Sequence, residues 1–179
     1  MKIKTNMKVF ALLILAVVSL ISVASVGSAT LPFTDGFDDG DLSGWTFTPD
    51  GSGNDWVAST SFKSEGTHSA LLQPSADNTN VNPAVLSRTI STTGYNNLVL
   101  SYHRRLFGLD QSQDDMFNVS YSTNGGSTWT GIELNNSAED DSYFIKTFNN
   151  LNSAANDNPN FVIRFECTLN NDQEYCSVD

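Results

Sequence analysis

Three stretches of the chain alternate with a period of two. Leu98, Leu100 and Tyr102 alternate with Val99, Ser101 and His103; Phe117, Val119 and Tyr121 with Asn118 and Ser120; Phe161, Ile163 and Phe165 with Val162, Arg164 and Glu166. A side chain that changes face at every residue marks a strand with one buried face. Weaker strand candidates are Leu31 to Phe37, Trp45 to Thr48, Trp56 to Ser59, Ser69 to Gln73, Val85 to Ile90, Trp129 to Leu134, Phe144 to Phe148 and Glu174 to Val178. Clusters of Gly, Asn, Asp, Ser and Pro separate them, and beyond residue 29 no long stretch has helical spacing. Many short strands at intervals of roughly 8–12 residues predict an all-β fold, an antiparallel two-sheet sandwich of the jelly-roll kind. Asn124-Gly125-Gly126 lies between the Tyr121 and Trp129 stretches. These residues tolerate positive φ, so a tight antiparallel hairpin is expected there.

The first 29 residues follow another pattern. Lys2, Lys4 and Lys8 precede an apolar run from Val9 to Ile21 broken only by Ser19, and small residues follow, ending Gly27-Ser28-Ala29. That order describes a secretory signal peptide cleaved after Ala29, the alternative being an uncleaved transmembrane anchor. The expected organisation is a signal peptide over 1–29 and a single sandwich domain over 30–179, outside the cell, with no membrane insertion once the leader is removed.

Composition narrows the partners. The 179 residues carry 20 Asp/Glu against 9 Lys/Arg, a formal charge of −11, and cleavage would remove three lysines and no acid. Phosphate backbones need clustered Lys/Arg, and anionic lipid needs the same, so nucleic acid and membrane surfaces are excluded as partners. At 39% hydrophobic the chain has too much apolar content for an acidic disordered tail. Two cysteines are too few for a disulfide-built miniprotein. In a secreted chain Cys167 and Cys176 are expected to pair, stapling the strand that ends at Glu166 to the next one across a hairpin.

Catalytic motifs are missing. The two histidines, His68 and His103, belong to no H-E-x-x-H helix, and the chain has neither a G-x-S-x-G elbow nor a phosphate-binding P-loop. The acids are more suggestive. They gather as Asp35-Gly36-Phe37-Asp38-Asp39-Gly40-Asp41, as Asp50-Gly51-Ser52-Gly53-Asn54-Asp55, and as Asp110 with Asp114-Asp115. Asp, Asn and carbonyl oxygens in Gly-bent loops suit calcium, although such residues also make ordinary solvated turns. No cluster keeps the EF-hand spacing. Glycan recognition on a sandwich needs exposed rings, because the apolar faces of sugars stack on them. Trp45, Trp56, Trp129, Tyr95, Tyr143 and Phe107 are the candidates. Tyr95 and Tyr143, set among polar loop residues, are the ones expected outside. His103-Arg104-Arg105 is the only basic run, read either as salt bridges to nearby carboxylates or as an anionic-ligand contact.

Taken in order, these features resemble the extracellular jelly-roll group that comprises MAM domains and the bacterial cleaved-adhesin or choice-of-anchor J domains. Phe37-Asp38 with Gly44-Trp45 is similar to the opening of that group, and Asp50 through Trp56 to its Asp/Gly-rich loop leading into a Trp. Gly66-Thr67-His68-Ser69-Ala70, Ala84-Val85-Leu86-Ser87 and Leu98-Val99-Leu100-Ser101-Tyr102 resemble successive strand entries and edges. The run Phe117 through Trp129 carries the strongest likeness, and Phe161 to Phe165 with Tyr175 to Asp179 resembles the closing strands. The resemblance implies a non-catalytic adhesion or ligand-binding module. It further implies a cation joining the first and last strands, with Asp38 and Asp179 as side-chain ligands helped by carbonyls near Gly66 to Ser69, and Asp50 and Asp55 as a second set. Ser52 stands where the group typically has an acid, and the group continues past the position of Asp179, so the last strand is expected to be truncated here, the alternative being that the missing strand comes from elsewhere.

Three functions follow as expectations: a secreted or surface domain that binds extracellular protein or glycan and is stabilised by calcium; a carbohydrate-binding module of a polysaccharide-degrading enzyme; and a small secreted hydrolase. The site residues expected are Asp38, Asp179, Asp50 and Asp55 for metal, and Tyr95, Tyr143, Arg104 and Arg105 for ligand.

Overall fold

The described residues form ten strands, β1 (Thr46–Thr48), β2 (Val57–Ser59), β3 (Ser69–Leu72), β4 (Ala84–Ile90), β5 (Leu100–Phe107), β6 (Met116–Ser122), β7 (Thr130–Asn136), β8 (Phe144–Phe148), β9 (Phe161–Thr168) and β10 (Tyr175–Val178), with a 3-10 turn at Ser153–Ala155. This computed structural model describes residues 33–76, 82–109, 115–136, 140, 142–149 and 151–179. The expected leader and the acids Asp110 and Asp114 lie outside the described residues. Three strands, β5, β6 and β9, fall on the alternating stretches and the others on the weaker candidates, while residues 33–37 form an irregular segment. There Asp35 Oδ1 accepts the Phe37 N–H at 3.0 Å, and Phe37 takes a φ of 56°, which breaks an extended run.

The strands form two antiparallel five-stranded sheets, β1-β4-β9-β6-β7 and β2-β3-β10-β5-β8. The apolar phase of the central strands points between them. Leu86, Phe117, Val119, Ile163 and Phe165 from the first sheet meet Ala70, Leu72, Tyr102, Leu106, Cys176 and Val178 from the second in one buried cluster. The expected hairpin joins β6 and β7. Gly125 and Gly126 turn at φ of 68° and 89°, and Asn124 Oδ1 accepts the Thr128 N–H at 2.9 Å. The pairing shifts register on either side of Val119, and a bulged β7 makes a poor template for a further strand.

Cys167 and Cys176 are bonded, but not across a hairpin. β9 lies at the centre of the first sheet and β10 at the centre of the second, so the bridge crosses the core and ties sheet to sheet. Both cysteines sit in the inward phase of their strands and are fully buried. Spacing alone suggested adjacency because only eight residues lie between them; the chain instead uses those residues to change sheets. By loop-closure entropy a loop of this size contributes about 2–3 kcal/mol. β10 pairs with β3 on one side and β5 on the other, and Asp179 exchanges both main-chain hydrogen bonds with His103.

Candidate functional site

The first and last described segments meet where the resemblance placed them. Asp38 Oδ1 accepts from the N–H and, at 3.0 Å, from the hydroxyl of Thr67, and these bonds hold the Asp38 carboxyl below its ordinary pKa. Asp179 Oδ2 accepts the N–H groups of Ser64 and Glu65 at 2.8 and 2.9 Å. The segment from Thr60 to Thr67 is thereby strapped down by two carboxylates from opposite ends of the domain. Gly66 makes the approach possible: its φ is 57°, and a Cβ there would run into the Asp38 carboxylate. The second oxygens, Asp38 Oδ2 and Asp179 Oδ1, face the same small space beside Gly36, each 3.8 Å from where a Cβ on Gly36 would stand. These are hard oxygens of the kind calcium takes. Among the described residues no group of three His, Cys, Asp or Glu converges on one point, so main-chain and water oxygens would have to complete any cation shell here.

Asp50 and Asp55 behave differently. Asp50 Oδ1 accepts the N–H groups of Ser52 and Asn54, and Oδ2 accepts from Asn54 Nδ2, all at 2.8–2.9 Å. Asp55 accepts the Trp56 N–H at 2.8 Å, and burial raises its carboxyl. The geometry is that of a loop closed on itself ahead of the buried Trp56.

The basic run splits. β5 alternates faces, so Arg104 points between the sheets while His103 and Arg105 point out. Arg104 is 3% exposed and is no surface ligand contact. It pairs with Glu133 of β7 and, at 3.2 Å, with Asp140, whose other oxygen accepts the Leu106 N–H. The Tyr102 hydroxyl donates to Glu133 Oε2 at 2.6 Å, and burial pushes the phenol well above its ordinary range. For Arg104, then, the salt-bridge alternative is the one realised.

The outward phase of the second sheet builds a face that the sequence reading largely missed. Tyr175 and Phe107 are paired across β10 and β5, and their rings stack at 5.4 Å and 12°. Phe62, from the strap, stacks on Tyr175 at 3.9 Å and 13°, with its own φ at 53°. Positive φ is a strained setting for an aromatic residue. Two hydroxyls hold it: Ser177 Oγ donates to the Phe62 carbonyl at 2.6 Å, and Ser69 Oγ lies 3.0 Å from the same oxygen. The Arg105 guanidinium sits 5.5 Å from the Phe62 ring and 5.8 Å from the Tyr175 ring. Phe107 is 45% exposed and ends the ladder with an open ring. One signal for this face was available. A disulfide at Cys176 turns that side chain inward, which forces Tyr175 and Ser177 outward.

Tyr143 joins the same face but is half-buried, its hydroxyl 3.0 Å from Ser177 Oγ and its ionisation raised by burial. Tyr95 is also half-buried, pinned where its carbonyl accepts the Asp157 N–H at 3.0 Å. Neither is the exposed ring expected. Trp45 and Trp56 are core residues, while Trp129 lies half-buried beneath the Arg164 guanidinium at 3.9 Å.

A cavity of about 240 Å³ opens at one end of the sandwich among Phe33, Trp45, Leu98, Leu151 and Phe161. Its walls are apolar, and Asp35 at its rim is engaged by Trp45 Nε1 at 2.8 Å and Arg88 at 3.0 Å. His68 meets the Thr67 hydroxyl at 2.9 Å on an exposed turn. That hydroxyl gives its proton to Asp38, so the histidine does not activate it as a nucleophile.

At the far end of β10, Glu174 is buried against Asp115 and accepts the N–H groups of Asn170 and Asn171 at 2.8 and 3.0 Å. Burial, with the Asp115 charge adding to it, raises Glu174 to about 7. A carboxyl raised on folding keeps its proton longer in the native chain than in the unfolded one. Its contribution is therefore complete below about 4.5 and lost as pH climbs to about 7. Thermal midpoints measured from pH 4.5 to 8 should fall across that window in wild type and fall less in Glu174→Gln; parallel curves would refute the assignment.

No protein-family model matches the chain, and no curated protein matches its sequence. Solved structures do match its fold. TmCBM61 in complex with beta-1,4-galactotriose superposes with a TM-score of 0.57 at 10% identity, over 80% of this chain and 90% of that one. The K2 cleaved adhesin domain of Lys-gingipain gives 0.56 at 18% identity, over 82% and 95%. The K3 cleaved adhesin domain of Lys-gingipain from Porphyromonas gingivalis gives 0.54 at 14%, over 82% and 93%. The chain thus has the sandwich fold seen in carbohydrate-binding modules and cleaved adhesin domains.

Proposed function

We propose that this is an extracellular, non-catalytic binding domain whose ligand is a glycan, held on the outer face of the second sheet. The observation that carries the reading is the Phe62–Tyr175–Phe107 ladder, ending in an open ring on a face that also carries Arg105, His103 and the half-buried Tyr143. The open Phe107 ring offers flat apolar surface to the C–H face of a sugar, and the guanidinium beside the stack suits its rim. The bound galactotriose of TmCBM61 supports a glycan on this fold, and the cleaved adhesin domains support a surface-binding role. The leader-like residues 1–29 and the buried disulfide support a place outside the cell.

Phe107→Ala should leave the fold intact, since the ring is half out in solvent. It should weaken binding to the polysaccharide recognised by wild type by about tenfold or more, read by affinity electrophoresis and calorimetry. A glycan array without a hit for wild type, or a Phe107→Ala protein that binds equally well, would overturn the reading.

Calcium belongs to the same proposal as a structural ion. Asp38 Oδ2 and Asp179 Oδ1 would hold it, and its charge would fix the strap that carries Phe62. A native-state ligand raises the melting midpoint by mass action, so millimolar calcium should raise it over chelator in wild type and not in Asp179→Asn. Equal midpoints in wild type with calcium and with chelator would remove the ion from the account.

A further inference from the structure

The chain has four arginines, and three have found acids. Arg88 pairs with Asp35, Arg104 with Glu133 and Asp140, and Arg164 with Glu166. Arg105 alone is in no salt bridge among the described residues, in a protein with 20 carboxylates. Its Nε is buried without a hydrogen-bond partner, and its guanidinium rests beside the Phe62 and Tyr175 rings. Aromatic faces hold such a group in place without consuming its N–H donors, and the two terminal nitrogens, which are not buried as Nε is, can serve as a planar fork.

The surroundings on the outer face are mixed. His103 precedes Arg105 in the same phase, Ser177 is its partner across β10, and Tyr143 stands beside Ser177. Asp179, two residues beyond Ser177 in the same phase, has one oxygen committed to the strap. An acid on the ligand would complete what the protein leaves open.

Resting on the glycan reading above, we propose that the face selects a carboxylated sugar, a uronate residue of an acidic polysaccharide, whose carboxylate takes the Arg105 fork while its ring lies against Phe107. A flat ring beside a fixed guanidinium favours a sugar acid over an acidic peptide, whose carboxylates ride on flexible stems. The net charge of −11 opposes long-range approach. Screening at physiological salt, over about 8 Å, removes most of that repulsion and leaves the contact pair.

The test uses the whole chain with its disulfide intact. Oligosaccharides from pectate, alginate and hyaluronan are titrated beside the same oligosaccharides with their carboxyls reduced to alcohols. At least one acidic form should bind tenfold or more tighter than its reduced partner. Arg105→Gln should erase that preference, Arg105→Lys should restore part of it, and Phe107→Ala should weaken both forms. Near-ultraviolet circular dichroism checks that each variant is folded, and Arg105→Lys keeps the test open should Arg105→Gln unfold. Reduced and acidic forms binding alike, or a preference that survives Arg105→Gln, would overturn the uronate assignment while leaving the glycan face standing. Poly-glutamate displacing the acidic sugar at equal carboxylate concentration would overturn it in favour of a peptide. Silence from every acidic and neutral glycan would remove both.

Discussion

Arg104→Ala should cost about 3–5 kcal/mol of stability, the largest effect expected of any polar substitution in the chain. Removing the guanidinium strands buried Asp140 and leaves Glu133 with Lys146 alone, at 3.7 Å, so carboxylate charge in a low dielectric loses most of its compensation. For a domain of about 150 residues each kcal/mol moves the melting midpoint by about 2–4 °C, so a loss of roughly 10 °C is expected. The control separates a pair that is costly to break from one that stabilises in its own right. Replacing the whole set together, as Arg104→Met, Glu133→Leu, Asp140→Leu and Tyr102→Phe, removes every stranded group and should come close to wild-type stability. Calorimetry on the single and combined variants decides it: a single variant within about 1 kcal/mol of wild type would show that water reaches the site and solvates the stranded acids. Asp140 also accepts the Leu106 N–H and donates its own N–H to the Leu106 carbonyl. The ion set therefore secures the β7–β8 connection to β5 as well as filling the core.

Phe165→Ala is the second large effect, at about 3–5 kcal/mol, with Phe165→Leu near 1. Phe165 lies at the centre of β9 and meets Tyr102 edge-on at 5.2 Å, Trp45 at 6.1 Å and Phe117 at 6.3 Å. It thus joins both sheets and the loop before β1. Truncation opens a void among rings that are too rigid to collapse into it. Chemical denaturation should show a lower midpoint with an unchanged slope; a cost below about 1 kcal/mol would mean that the neighbouring cavity already leaves this region loosely packed.

Much of the architecture could be read before any coordinates. Alternation marked β5, β6 and β9, where the pattern records buried and wetter positions residue by residue, and short apolar runs between turn residues marked the other strands more weakly. The carboxylates of Asp38 and Asp179 were paired through family likeness, and both lie near Gly36 and bind the segment from Ser64 to Thr67. What the chain did not announce was which sheet each strand would join. That choice turned the Cys167–Cys176 bond from a hairpin staple into a bridge between sheets. Phe62 was also illegible: it lies in a polar loop, and only the hydroxyls of Ser69 and Ser177 and the two strapping carboxylates bring it onto Tyr175.

The His103-Arg104-Arg105 run draws the boundary most sharply. By itself the sequence determined that neighbours on a strand face opposite ways, so one arginine had to point in and the other out. It also determined the acid excess that makes an unpaired arginine informative. Only the tertiary structure decided which arginine met Glu133 and Asp140 and which was left on the aromatic face. The physical reason is that charge pairing depends on distances across the sandwich, set by the packing of residues remote in the chain, whereas alternation is set by the geometry of the strand alone.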